Sequence, residues 1–245
     1  LLGLAIAARP RVIVLDPLDY SALLPYLRAA HDAEVPVVLV ETPRDVANPA
    51  FVATFVSPDQ DSLDAQTSAE VVRLLRGAVT HRVAFISAHP PPRTAAASAI
   101  GLSRDLASVM PDAALTELTV EADDARGAQG QLQTFIRSHP DVSVIVAGDA
   151  IAAQSLVVPL TAAGSHRPAV IVTSLGAAGG ELLSLSLAQA VIGADVCSLV
   201  QSAMSAAVEV SANNAPAVPR SVGVAVRTFT PNTGRAADGG AAIAC

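Results

Sequence analysis

Residues 138–164 read SHPDVSVIVAGDAIAAQSLVVPLTAAG. A run rich in β-branched residues, 142–147, follows a Pro-Asp turn and stops at Gly148-Asp149, where a helix-forming segment takes over. A strand that is apolar on both faces must be covered on both faces, which is the condition of a parallel sheet layered with helices. Asp149 stands where an N-cap belongs, able to accept a hydrogen bond from the first turn of the following helix. Pro159 lies inside that helix without an N–H, so the helix is expected to kink or stop there.

The same alternation runs outward in both directions. Short apolar runs at 11–15, 37–41, 51–56, 82–86, 115–120, 169–173, 190–193 and 222–229 read as further strands. The run at 115–120 is broken by Thr116, Glu117 and Thr119 and is expected at a sheet edge. Between the runs, Leu63, Thr67, Val71, Leu74 and Leu75 share one helical face. So do Leu102, Leu106, Val109 and Met110, as well as Ala128, Leu132, Phe135 and Ile136, and Tyr20, Leu23, Leu24 and Leu27. Pro25 falls in the first turns of the last of these, where it is tolerated if Asp19 or Ser21 supplies the cap. The fold class is therefore α/β, with doubly wound parallel sheets. Ligands bind such sheets beyond the carboxyl ends of the strands. That rule singles out Asp16, residues 41–44, 87–93, Asp149, 174–180 and 193–195.

The 245 residues are 51% hydrophobic and 15% charged, which excludes a disordered chain. Net charge is −7 and all fifteen cations are arginines spread along the chain. No basic face for nucleic acid is formed by such a distribution. No apolar run is long enough for a membrane span, so the chain is expected to be soluble. Residues 1–9 lack the basic start and cleavage signal of an export peptide. His31, His81, His89, His139 and His166 are scattered, and Cys197 and Cys245 lie far apart, so neither a metal site nor a disulfide framework is read. Gly176, Gly179 and Gly180 do not have dinucleotide-loop spacing and no Lys follows them. No serine sits in a G-x-S-x-G elbow. No cofactor and no catalysed reaction are expected.

Four stretches carry a family resemblance. They are RVIVLDPLDYSALLPYLRAAHDAEVPVVLVET (11–42), RVAFISAHPPPRTAAASAIGLSRDLASVMPDAAL (82–115), the opening segment 138–164, and APAVPRSVGVAVRTFTPNTG (215–234). In this order they resemble type I periplasmic solute-binding proteins of the ribose and galactose group, the receptors of ABC importers. The resemblance implies two lobes joined by three chain crossings, near Val56, Gly193 and Ser221. The first lobe would hold residues 1–56 and 194–220, the second 57–193 and 221–231, with 232–245 a Gly/Ala tail expected to be disordered. That family opens with a further strand–helix–strand stretch, so the chain is expected to lack an N-terminal part and the first lobe to be partial.

Residue by residue, the family's Asp-Arg pair after its fourth strand corresponds to Glu41-Thr42, with Arg44 the substitute cation. A second sugar-binding Arg falls at Ser98, with Arg93 as the nearby replacement. The usual Asn is Asp149, an Asp becomes Leu175, and a Gln becomes Gly193. The ligand candidates are thus Asp149, Glu41, Arg44, Arg93, Ser98 and Asp16. With aromatics at 3% and no Trp, these departures imply a site altered from the sugar-binding pattern. The implied function is binding of a small polar, sugar-like solute in an interlobe cleft and its delivery to the membrane permease of an ABC importer. The location would be periplasmic or extracellular, with or without a lipid anchor, and no oligomeric state is implied. The alternative is the effector-sensing domain of a lac-repressor-type transcription regulator, which would be cytoplasmic.

Overall fold

A computed structural model describes residues 1–17, 20–40, 49–89, 93–164, 167–212 and 219–231. In chain order it contains α1 (Leu2–Ala7), β1 (Ile13–Leu15), α2 (Tyr20–Asp32), β2 (Val37–Val40), β3 (Thr54–Pro58), α3 (Gln60–Leu75), β4 (Arg82–His89), α4 (Arg93–Val109) and β5 (Ala114–Glu121). There follow α5 (Ala125–Ser138), β6 (Val142–Ala147), α6 (Ala150–Ala163), β7 (Ala169–Val172), α7 (Ala177–Ser184), β8 (Ala190–Ala194), α8 (Val196–Ser211), β9 (Ser221–Val224) and β10 (Val226–Phe229). The chain divides into two compact units, residues 1–60 with 197–225, and residues 61–196 with the chain from 226 on.

The first unit is built on a parallel sheet ordered β1-β2-β3-β9. Ile6 of α1 and Tyr20, Leu27 and Ala30 of α2 pack on Val37, Leu39 and Phe55. The intervening Val38 and Val56 are also fully buried. That alternation with burial on both sides is what a continuous apolar strand requires. β1 forms the edge of this sheet, and its Val14 is 39% exposed.

The second unit has six strands ordered β10-β8-β7-β6-β4-β5, parallel except for β10. Ala84, Ile86, Ile145, Ala147, Val170 and Val172 face a core shared with α5, α6 and α7. Their neighbours Val83, Phe85, Val144, Val146 and Ile171 face the opposite core, filled by Leu63, Val71 and Leu75 of α3 and Leu102 and Leu106 of α4. β5, with its polar interruptions, is one edge strand and β10 the other.

Several expectations need correction. α6 does not stop at Pro159 but continues to Ala163. Leu156 and Leu160, both fully buried, hold the helix through the missing N–H. α1 and α7 are helices beyond those that the apolar periodicity marks out. The run 222–229 is two strands, because residues 221–224 pair in parallel with β3 while 226–229 pair antiparallel with β8. The chain passes between units after residues 60, 196 and 225, each within four residues of Val56, Gly193 and Ser221. β3 stays in register with β9 as far as Pro58 and Val224, which keeps both strands in the first unit up to that point. The tail 232–245 lies outside the described residues.

Candidate functional site at the strand carboxyl ends

β6 hands over to α6 at Gly148-Asp149. The Gly148 N–H donates to the Ile86 carbonyl at 2.8 Å, keeping the end of β6 level with β4. Asp149 is extended and caps α6. One carboxylate oxygen accepts from the Ala152 N–H at 2.8 Å and the other from the Ala88 N–H at 2.7 Å. The side chain thus fastens the end of β4 to the start of α6, and only 9% of the residue is exposed. Burial raises its pKa above the usual aspartate range, opposed by the N–H groups of Ala152, Ala88 and Ile151. The group is first of all a structural cap.

At the ends of β7 and β8 the chain closes up. Thr173 donates through both its N–H and its hydroxyl to the Ala147 carbonyl. Leu175 is buried in the core. A Cβ on Gly193 would lie 3.0 Å from the Leu175 nitrogen and 3.1 Å from its Cγ. The two positions at which the resemblance implies an Asp and a Gln are therefore in contact, and neither presents a polar side chain. Gly176 precedes α7 without a side-chain cap. A Cβ on Gly179 would come within 2.9 Å of the Ser174 carbonyl and 3.0 Å of Val191. This glycine serves close helix–strand packing.

Ser98 is 2% exposed within α4. Arg93 is the first residue of that helix, but its side chain lies outside what is described, as do Glu41 and Arg44 altogether. Asp16 follows β1 in the first unit, exposed at the surface. Partial burial raises its pKa, and no hydrogen bond or ion pair to it is present among the described residues. His89, within the stretch 87–93 singled out above, is exposed at the carboxyl end of β4, and its register partner at the end of β5 is the exposed Glu121, which lies outside the stretches singled out. The signal available was the position of each at the end of its run.

A cavity of about 380 Å³ lined by Gly164, Arg167, Pro168, Ala169 and Gln189 lies at the amino end of β7, the opposite end of that sheet from Asp149. Arg167 donates to the Ser186 carbonyl there and Gln189 accepts from the Val170 N–H. Among the described residues no group of three or more His, Cys, Asp or Glu is placed to hold a metal ion. No described helix is long and apolar enough to cross a membrane.

Several solved structures share this architecture. An ABC transporter solute binding protein from Agrobacterium vitis, bound with α-D-tagatopyranose, aligns with a TM-score of 0.81 at 18% identity, over 99% of this chain and 82% of that one. A carbohydrate transporter solute binding protein from Agrobacterium radiobacter, in complex with D-arabinose, aligns with a TM-score of 0.83 at 17% identity and the same coverages, 99% and 82%. One from Bacillus halodurans with bound myo-inositol gives 0.76 at 14% identity, over 94% of this chain and 78% of that one. At such identities the likeness is one of fold. A search of curated proteins returned no match. The profile of the periplasmic binding protein domain spans residues 4–215, and the chain belongs to that family.

Proposed function

We propose that the protein is the solute receptor of an ABC importer and that its solute is a small polyhydroxylated molecule of the sugar or cyclitol class. The observation that carries this is the family match over residues 4–215, together with folds shared with receptors bound to tagatose, arabinose and inositol. Such a receptor catalyses nothing. Its solute biases a conformational equilibrium, and a membrane permease recognises the favoured state, on the outer side of the cytoplasmic membrane. Asp16, Glu41, Arg44 and Arg93 are the proposed solute contacts, each placed after a strand. Asp16 is an exposed carboxylate just beyond the end of β1, to which solute hydroxyls can donate. Asp149 contributes by holding β4 and α6 together. The regulator reading is not favoured, since the neighbours quoted above are transport receptors.

Thermal melts with D-tagatose, D-arabinose and myo-inositol test the reading. A specific solute at about a hundredfold its Kd stabilises the fold by about 2.7 kcal/mol, a readily measured rise in Tm. Melts that none of the three raises at millimolar concentration would remove the sugar and cyclitol class from consideration.

A further inference from the structure

We infer that Gln66 is a positioning residue that ties two of the three segments joining the units, so that these two move as one. The chain enters the second unit at Asp61, in the first turn of α3, and re-enters it at Val226, the first residue of β10. Gln66, a turn further along α3, meets β10 with its whole amide. Its nitrogen donates to the Val226 carbonyl at 3.3 Å and to the Ser62 hydroxyl at 3.0 Å, and its oxygen accepts from the Thr228 hydroxyl at 2.7 Å. Among the described residues, β10 otherwise holds to its sheet as a four-residue edge strand paired with β8 alone.

On the first unit's side the same two segments are already joined. β3 and β9 pair from Phe55–Ser221 to Pro58–Val224, and the Asp59 N–H closes that ladder on the Val224 carbonyl at 2.9 Å. Only residues 60–61 and 225 lie between that ladder and the two groups the Gln66 nitrogen holds, the Ser62 hydroxyl and the Val226 carbonyl. Two strands fastened at both ends of so short a gap bend together, whereas two fastened at one end bend independently. A hinge absorbs its motion in a few such residues. The tie does not depend on which solute the protein binds.

Hydrogen exchange read by mass spectrometry on the full chain tests this, with Gln66→Leu against the wild type. Losing the amide should lower protection in 226–229 by about three- to tenfold. The loss should also spread across the gap to 221–224 and 55–59, while the central strand β6 keeps its protection. A loss confined to 226–229 would make Gln66 a local brace and overturn the inference, as would no loss, or a uniform loss across both sheets. Should Gln66→Leu fail to fold, Thr228→Val removes one bond at an exposed position and must show the same spread at smaller amplitude.

Discussion

The ring of Phe85 occupies the space that a side chain on Gly148 would take: a Cβ placed there lies 2.5 Å from the ring's Cζ and 3.2 Å from the Ala95 Cβ. Gly148 immediately precedes Asp149, so a shift forced on it is passed to the carboxylate that meets the end of β4. Gly148→Ala is expected to cost about 1–3 kcal/mol by overpacking, read as a lower urea midpoint. Adding Phe85→Leu should recover part of that loss, giving a non-additive cycle. Additive losses would show that the two positions do not press on each other.

Asp149→Ala removes the acceptor for two backbone donors, one of them the N–H of Ala88, a residue only 1% exposed. A lost N-cap and a stranded buried donor together should cost about 2–4 kcal/mol. Asp149→Asn keeps an acceptor for only one of the two and should fall between. A midpoint shift too small to measure in Asp149→Ala would show that water satisfies both donors.

The pH dependence of this site has a definite sign. Burial raises the Asp149 pKa above its ordinary value of 3.8. Between 3.8 and the raised value the folded chain therefore holds a proton that the unfolded chain has released, and stability falls as pH rises through that window. The contribution is complete below 3.8 and lost above the folded pKa. The stability difference between wild type and Asp149→Asn should accordingly be greatest near about pH 3 and shrink toward pH 7. A difference that grows with pH would mean that the N–H groups outweigh burial.

Gly193→Gln restores the polar residue that the resemblance implies, yet it should weaken the fold. Its Cβ meets the Leu175 backbone nitrogen at 3.0 Å, and backbone yields less easily than a side-chain tip. A loss of about 1–3 kcal/mol is expected, with no gain in affinity for D-arabinose by calorimetry. A tighter D-arabinose complex would show that the contact opens to admit the solute.

Asp16→Asn removes a partly desolvated charge from the end of β1. It should leave Tm unchanged or slightly raised in the absence of solute and weaken solute binding about tenfold or more, as loss of a charge-assisted hydrogen bond does. Unchanged affinity for a sugar that the wild type binds would exclude Asp16 from the contacts.

The layered fold was legible because the apolar strands announce that they are covered twice. Val83 and Phe85 face one core and Ala84 and Ile86 the other, so neither face can carry a charge. α7 was not legible because Gly176, Gly179 and Gly180 are poor helix formers, and only the nearness of Ser174 and Val191 explains a glycine inside that helix. The break at Ala225 was hidden for a different reason. Parallel and antiparallel pairing ask for the same β-branched residues, so 221–224 and 226–229 read as a single run. For Asp149 the cap was visible from its neighbours in sequence. The Ala88 N–H, 61 residues away, was not.

The single-residue hand-over from β9 to β10 also bears on how the molecule can be made. Until the ribosome has released this stretch, each sheet is missing its outermost member, and neither half can be finished ahead of the other. A premature stop codon anywhere in 213–220 would therefore leave one flank of each sheet open in a single stroke.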